Sequence, residues 1–204
     1  MALDTYTNLQ TALQAWLARV DVAADVVDMI TMFEAWVNRN IRVPQMEQDS
    51  IATASEYLPF PVDFLELRAI QWQGNAANPR LQLEYLSPVM ADIEDPFGQA
   101  DTPRFYTIVS NQIRLVPKPD DLTVNIRIDY WKKLPALTLT NQTNWLLSLY
   151  PDAYLYGPLV HGNIRVQDVS MAAAVQQGWA GIMAELQRAG KDANVGSLLR
   201  IRTA

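Results

Sequence analysis

No cysteine occurs among the 204 residues, which removes disulfides, thiolate nucleophiles and every zinc or iron–sulfur site that needs sulfur ligands. Histidine is nearly as scarce: His161 is the single example, so no motif built on paired imidazoles exists. The chain has neither a glycine-rich phosphate loop nor a Gly-x-Ser-x-Gly elbow. No stretch approaches the roughly 18 uninterrupted apolar residues of a membrane span, and the stretch from Met1 to Tyr6 carries Asp4 instead of a basic leader. We therefore expect a chain made and used without export and without a membrane partner. Basic charge is short as well, 16 Lys and Arg against 22 Asp and Glu, with a pI near 4.7. Tight phosphate neutralisation needs clustered Lys and Arg, so nucleic acid is not expected as a held ligand.

What is present describes a globular protein, with 50% hydrophobic and 19% charged residues, in a chain long enough to bury about 70% of its unfolded surface. The charge is uneven. Residues 1–60 hold eight acids against Arg19, Arg39 and Arg42, whereas the last seventeen residues hold Arg188, Lys191, Arg200 and Arg202 against Asp192. An acidic head and a basic tail point to contacts that carry orientation.

From Thr5 to Val20 the apolar residues Tyr6, Leu9, Leu13, Trp16, Leu17 and Val20 recur at three- and four-residue steps, which predicts a helix with one buried face. A second helix follows, capped by Asp21, with Asp25 and Asp28 near its positive end. Val26, Met29, Ile30, Phe33, Val37 and Ile41 form its stripe, and Arg39 and Arg42 lie near its negative end before Pro44 stops it. The short link over residues 19–22 makes the two helices antiparallel neighbours.

From about Met46 to Leu134 the period changes to two. Ile70 and Trp72, then Leu81, Leu83 and Tyr85, then Phe105, Thr107 and Val109, then Ile113 and Leu115, then Val124, Ile126, Ile128 and Tyr130 alternate with more polar neighbours. These read as antiparallel strands with one buried and one wet face. Ser110 and Asn111 mark a tight hairpin, and Pro117 to Asp121 a second turn. Ser87 and Pro88 read as the cap and first turn of a short helix running to about Glu94, ended by Pro96 and Gly98.

Helical signals return after Pro135. Asn141 to Asn144 offer caps for a segment holding Trp145, Leu146, Leu147 and Leu149, and Pro151 suits the first turn of a helix toward Arg165. Pro158 inside that helix costs about 3 kcal/mol unless a kink accommodates it. Asp168 or Ser170 starts a last helix with Met171, Val175, Trp179, Ile182, Met183 and Leu186 inward. Gly190 lies near its end, and Gly178 and Gly181 permit close helix packing. The expected class is α+β, a small antiparallel helical bundle formed by the N- and C-terminal helices with an inserted antiparallel β-rich subdomain. The divisions are residues 1–44 for the helical pair, 45–137 for the β-rich insertion, 138–190 for the helices completing the bundle, and 191–204 for a tail ordered by a partner.

Little here supports catalysis. His161 sits between Val160 and Gly162 without triad partners, and Asp92, Glu94 and Asp95 lack the spacing of a calcium loop and read as a solvated helix face. Asn141-Gln-Thr is a glycosylation sequon only in an exported protein. No catalytic residue, metal ligand or cofactor is assigned. Two carboxylates alone can run glycoside hydrolysis, so a peptidoglycan hydrolase stands as the alternative. The aromatic residues Tyr130, Trp131, Trp145, Tyr150, Tyr154 and Tyr156 read as ordinary core between subdomains or as anchors of a subunit interface.

An ordered succession of short motifs carries a family likeness. It runs from Leu58-Pro59 and Asp63-Phe64-Leu65-Glu66-Leu67-Arg68 to Thr102-Pro103-Arg104-Phe105-Tyr106 and Ile113-Arg114-Leu115-Val116-Pro117. It continues with Tyr130-Trp131-Lys132-Lys133-Leu134-Pro135-Ala136-Leu137, Asn144-Trp145-Leu146-Leu147 and Tyr150-Pro151-Asp152-Ala153-Tyr154-Leu155-Tyr156-Gly157. Over most of its length the chain resembles the head-to-tail adaptor proteins of short-tailed bacteriophages, the tail tubular protein A kind. After Gly157 it departs from that pattern with Pro158-Leu159-Val160-His161-Gly162.

The resemblance implies a non-enzymatic structural virion protein in the head-to-tail neck, assembled in the host cytoplasm. It implies a homo-oligomeric ring, a dodecamer, docked under the portal protein with a tail or nozzle protein below and DNA only as passing cargo. Helices would build the ring wall, the β-rich insert would project outward or toward tail components, and the C-terminal segment would reach the portal. On that plan the subunit interface uses the exposed faces of the first two helices, Asp25, Asp28 and Glu34 opposing Arg39, Arg42 or Arg165. Portal contact falls to Leu198, Leu199 and Ile201 in apolar pockets, with Arg200 and Arg202 pairing acidic groups. The rival is a tail-associated peptidoglycan hydrolase using paired carboxylates; a stand-alone binding protein of a phage operon comes next.

Overall fold

Side-chain caps and prolines punctuate this chain, and the computed structural model, which describes residues 3–17, 23–74, 79–166 and 169–194, places its helices between them. Among the described residues there are six α-helices and ten strands, a mixed α+β chain. It divides into two units, residues 1–46 with 134–204, and residues 47–133. The Leu134 N–H donates to Asn38 Oδ1 at 2.7 Å and the Leu137 N–H to Glu34 Oε1 at 2.9 Å. Those two bonds tie residues 134–137 to the helices, whereas the expected division at 137 groups them with the β-rich segment.

In the helical unit, α1 (Tyr6–Trp16) starts at Thr5, whose hydroxyl accepts from the Asn8 N–H. In α2 (Ala23–Asn40) and the residue after it, the whole stripe of Val26, Met29, Ile30, Phe33, Val37 and Ile41 is buried. Burying side chains of this size stabilises by about 1.5–3 kcal/mol each. A short 3₁₀ turn at Pro44–Met46 closes the segment. Two helices of this unit begin as their sequence signals predict: α4 (Trp145–Leu149) under the Asn144 cap, and α5 (Pro151–Val166) with its proline in the first turn. Pro158 does not end α5. The helix continues through it, with Leu155, Pro158 and Leu159 buried, so packing offsets the lost backbone bond.

The last helix, α6 (Val169–Asn194), runs four residues beyond Gly190. That glycine is no terminator: a Cβ there would overlap the Arg42 carbonyl oxygen, so glycine permits a close backbone approach. Gly178 likewise admits the Tyr156 ring, 3.1 Å from where a Cβ would stand, whereas Gly181 has nothing within 4 Å and faces open space. The expectation of close packing therefore stands at 178 and fails at 181. Phe33 packs edge-on against Tyr154 and Trp179, with ring centroids 5.2 and 5.5 Å away, and Trp36 meets Trp179 at 5.3 Å. Trp16, expected in the core, is 41% exposed and turns its edge to Tyr156. Val20, Asp21, the link over 19–22, Asp168 and residues 195–204 lie outside the described residues, as do the side chains of His161, Arg165 and Met171.

The other unit holds β1 (Glu47–Thr53), β2 (Tyr57–Pro59), β3 (Phe64–Trp72), β4 (Leu81–Gln82), β5 (Glu84–Tyr85), α3 (Pro88–Glu94) and β6 (Ala100–Asp101). After these come β7 (Phe105–Val109), β8 (Gln112–Val116), β9 (Lys118–Pro119) and β10 (Asn125–Lys132). One sheet has the order β1-β10-β3-β4, a second β2-β8-β7-β5, and β6 pairs with β9. Ile70, Trp72, Ile126, Ile128 and Tyr130 of the first sheet share a buried cluster with Leu58, Ile113 and Leu115 of the second. The hairpin between β7 and β8 turns at Ser110 and Asn111, whose φ angles of 49° and 60° are those of a two-residue primed turn.

Three features depart from the sequence reading. The arrangement is not wholly antiparallel: β5 pairs with β7 and β6 with β9 in parallel, each over two residues. A parallel pair needs a crossover, and the segment carrying α3 supplies one between β5 and β7. Leu83 is buried but Leu81 and Tyr85 are exposed, because the chain changes sheets at Leu83, so no single buried face spans the three. Strands β1 and β2 gave no periodic signal. Glu47 to Thr53 is a mostly polar edge strand, paired to β10 along its length with no more than partial burial.

Candidate interaction surfaces

In the middle of the apolar stripe of α2 stands one acid. Glu34 is 6% exposed and accepts from the Leu137 N–H and from the Tyr154 hydroxyl, both at 2.9 Å. Asn144 Nδ2 donates to the Tyr154 oxygen at 2.6 Å and to the Pro135 carbonyl at 2.8 Å, while its Oδ1 caps α4 at the Leu147 N–H. Tyr154 is fully buried against Phe33. These contacts tie α2, the 134–144 connection, the start of α4 and α5 into one hydrogen-bonded group. Burial pushes the Glu34 carboxyl above its ordinary pKa, with its two donors acting against the shift. Burial, then the neighbouring carboxylate, pushes the Tyr154 phenol up strongly. A satisfied network of this kind specifies one arrangement of its elements, because leaving any member unpaired is costly.

The six residues proposed for contact between copies fall into different environments. Asp28 and Arg39 are exposed on α2, and Asp25 is half-buried near its start. Arg42 turns back, its Nη1 donating to the carbonyls of Asn38 and Ile41 at 2.9 and 2.6 Å, and so satisfies the end of α2. Glu34 is not on an exposed face; the expectation that places it there is corrected by its burial and its bonds to Tyr154 and Leu137. Arg165 and the portal-directed group Leu198, Leu199, Arg200, Ile201 and Arg202 lie outside the described side chains. The outer face of α2 presents Val27, Asp28, Thr31, Met32 and Arg39, and that of α6 presents Ala173, Gln177, Ala180, Ala184 and Arg188.

In the β unit, Tyr130 donates its hydroxyl to Asp63 Oδ1 at 2.8 Å, and burial followed by that carboxylate pushes the phenol up to about 12. Beside it, a cleft of about 410 Å³ is lined by Glu47, Asp49, Arg68, Arg127 and Asp129. Its charges are engaged with one another: Arg68 with Glu47 at 2.6 Å, and Arg127 with Asp129 at 2.8 Å and Asp49 at 3.7 Å. Arg68 also lies 4.8 Å over the Trp131 ring. Such exposed pairs contribute about 0–1 kcal/mol each. Among the described residues no group of three or more Asp, Glu or His is placed to hold a metal ion, and no helix is long and apolar enough to cross a membrane.

Of the family-motif residues, Tyr154 and Gly157 meet α2 at Glu34 and Phe33, Asn144 joins them through the Tyr154 hydroxyl, Leu146, Leu147 and Pro151 lie in α4 and α5 beside them, and Pro59, Asp63 and Tyr130 belong to the β unit. Leu146, Leu147 and Tyr154 are core, Trp145 is half-buried, Pro135 lends its carbonyl to Asn144, and Tyr156 packs on Gly178. The Glu34 network was missed by sequence reasoning. Its signal was there, an acid four residues after Ile30 and directly beside Phe33, inside a stripe otherwise apolar.

No curated protein matches the chain. A family model described as SU10 adaptor protein matches residues 4–202, nearly the whole length. The chain belongs to the SU10 adaptor proteins, a family of phage head-to-tail adaptors.

Proposed function

We propose that this protein is the connector between the portal and the tail of a phage particle, acting as one subunit of a closed ring through which DNA passes. The family match over residues 4–202 carries this reading. On it, the helical unit forms an antiparallel bundle and the ring wall, and copies meet through a heterologous contact closed by rotation, a dodecamer if it follows its relatives. The exposed charges Asp28 and Arg39, with Asp25 and Arg42 near them in the chain and Arg165 on α5, are the candidates for that contact. The acidic balance supports a conduit role, since a basic wall would bind the phosphates of passing DNA. Copies of net charge −6 repel one another at long range, so assembly depends on local complementarity. The apolar and basic segment Leu198, Leu199, Arg200, Ile201 and Arg202 is assigned to the portal.

Mixing the purified protein with purified portal tests the reading. Electron microscopy should show a ring that forms on the portal, and the protein should occupy the neck of assembled particles. A particle neck lacking it would overturn the proposal.

A further inference from the structure

The chain passes between its two units twice, at Met46–Glu47 and at Lys133–Leu134. At the second crossing, neighbouring residues are held by different units. The Lys133 N–H donates to the Asp63 carbonyl at 2.7 Å, within the β unit, whereas the Leu134 N–H donates to Asn38 Oδ1 of α2, also at 2.7 Å. Beyond it the connection stays bound to the helical unit, the Pro135 carbonyl by Asn144 Nδ2 at 2.8 Å and the Leu137 N–H by Glu34 at 2.9 Å. The first crossing is equally abrupt. The Met46 N–H donates to the Val43 carbonyl at 2.8 Å, closing the 3₁₀ turn, and the next residue, Glu47, already lies in β1, in register with Trp131 of β10.

Side chains brace the β unit up to the same two points. Arg68 pairs with Glu47 at 2.6 Å and lies 4.8 Å over the Trp131 ring, and Tyr130 bonds the carboxylate of Asp63, whose carbonyl takes the Lys133 N–H. Backbone freedom between the units is thereby confined to one peptide link on each crossing. Because β1 and β10 are antiparallel neighbours, both links lie at the same end of that strand pair. Two links side by side permit rotation about the line that joins them and oppose twisting about the strand direction. Hinges are commonly a few residues at element ends that absorb the backbone change while the packed elements stay whole. We infer that the links Met46–Glu47 and Lys133–Leu134 form a hinge, on which the β unit swings against the helical unit about one axis. The inference rests on the fold alone and is independent of the connector reading.

Having no cysteine, the chain accepts pairs of spin labels at exposed positions without background. One pair joins the units, Ala35→Cys on α2 with Gln112→Cys on β8. Two control pairs stay within a unit, Ala35→Cys with Gln177→Cys on α6, and Gln112→Cys with Thr53→Cys on β1. Labelled variants that keep the wild-type thermal melt are mixed with excess unlabelled protein, so that double electron–electron resonance reads distances within one chain. The distribution between the units should be several-fold broader than either control. One as narrow as the controls would overturn the hinge. Its place is tested on the unlabelled protein by amide hydrogen exchange followed by NMR. The Lys133, Leu134 and Leu137 N–H groups should exchange slowly, as bonded groups on the two sides of the link. Fast exchange at Leu134 and Leu137 would put the flexible chain beyond Lys133–Leu134 and overturn the assignment.

Discussion

Tyr154 on α5 donates its hydroxyl to Glu34 on α2 across 2.9 Å, in a position where both side chains are nearly or wholly withdrawn from water. The pair joins two helices that also meet through Phe33 and the Tyr154 ring. Glu34→Leu removes the acceptor for two donors and leaves the Leu137 N–H and the Tyr154 hydroxyl unsatisfied. Urea unfolding should show a loss of about 2–4 kcal/mol.

The same carboxyl makes stability depend on pH. Its folded pKa lies above the ordinary carboxyl value of 4.5, so between 4.5 and that raised pKa the native state binds more protons than the unfolded one. Stability from this group therefore falls as pH rises from 4.5, and the fall ends once the carboxyl is ionised in the fold. Glu34→Gln removes the slope. The wild-type urea midpoint minus that of the variant should decline from pH 4.5 upward and then level off; a difference that rises would refute the assignment.

Asn144 does two separable jobs, capping α4 through Oδ1 and bonding Tyr154 and Pro135 through Nδ2. Asn144→Ala should cost about 2–3 kcal/mol. Asn144→Ser can restore the cap but reaches neither Nδ2 partner, so its stability should fall between alanine and wild type in thermal melts.

Three helical glycines should respond with different signs. Gly157→Ala drives a methyl group into the Phe33 ring, and Gly190→Ala drives one into the Arg42 carbonyl; overpacking of this kind costs about 1–3 kcal/mol. Gly181→Ala meets nothing within 4 Å and should stabilise the isolated protein by up to about 1 kcal/mol through helix propensity.

Truncation after Asn194, the last residue of α6, leaves every described helix whole. Such a chain should give an unchanged circular dichroism melt and lose portal docking. Normal docking by the truncated chain would show that Leu198 to Arg202 are not the portal contact.

The helices were legible because their signals are local. Caps at Ser87 and Asn144, the proline at 151 and the stripe from Val26 to Ile41 act within one or two turns, and the structure uses each of them. The strongest strands, β3, β8 and β10, were legible from alternation. Strand β1 was not, because a polar edge strand is defined by its partner and not by its own pattern. Gly190 misled for a related reason: glycine ends many helices, but here it answers a backbone 148 positions away in sequence.

By itself the sequence determined where α1, α3, α4 and α5 begin, which stripes are apolar, that cysteine chemistry is excluded, and, through an ordered run of motifs, the family. Only the tertiary structure decided that Glu34 faces inward and that Leu81 and Tyr85 lie outside. Those outcomes depend on which distant element arrives to cover or to pair a residue. Burial and long-range hydrogen bonding are properties of that meeting, whereas helix periodicity and capping are written in neighbouring residues.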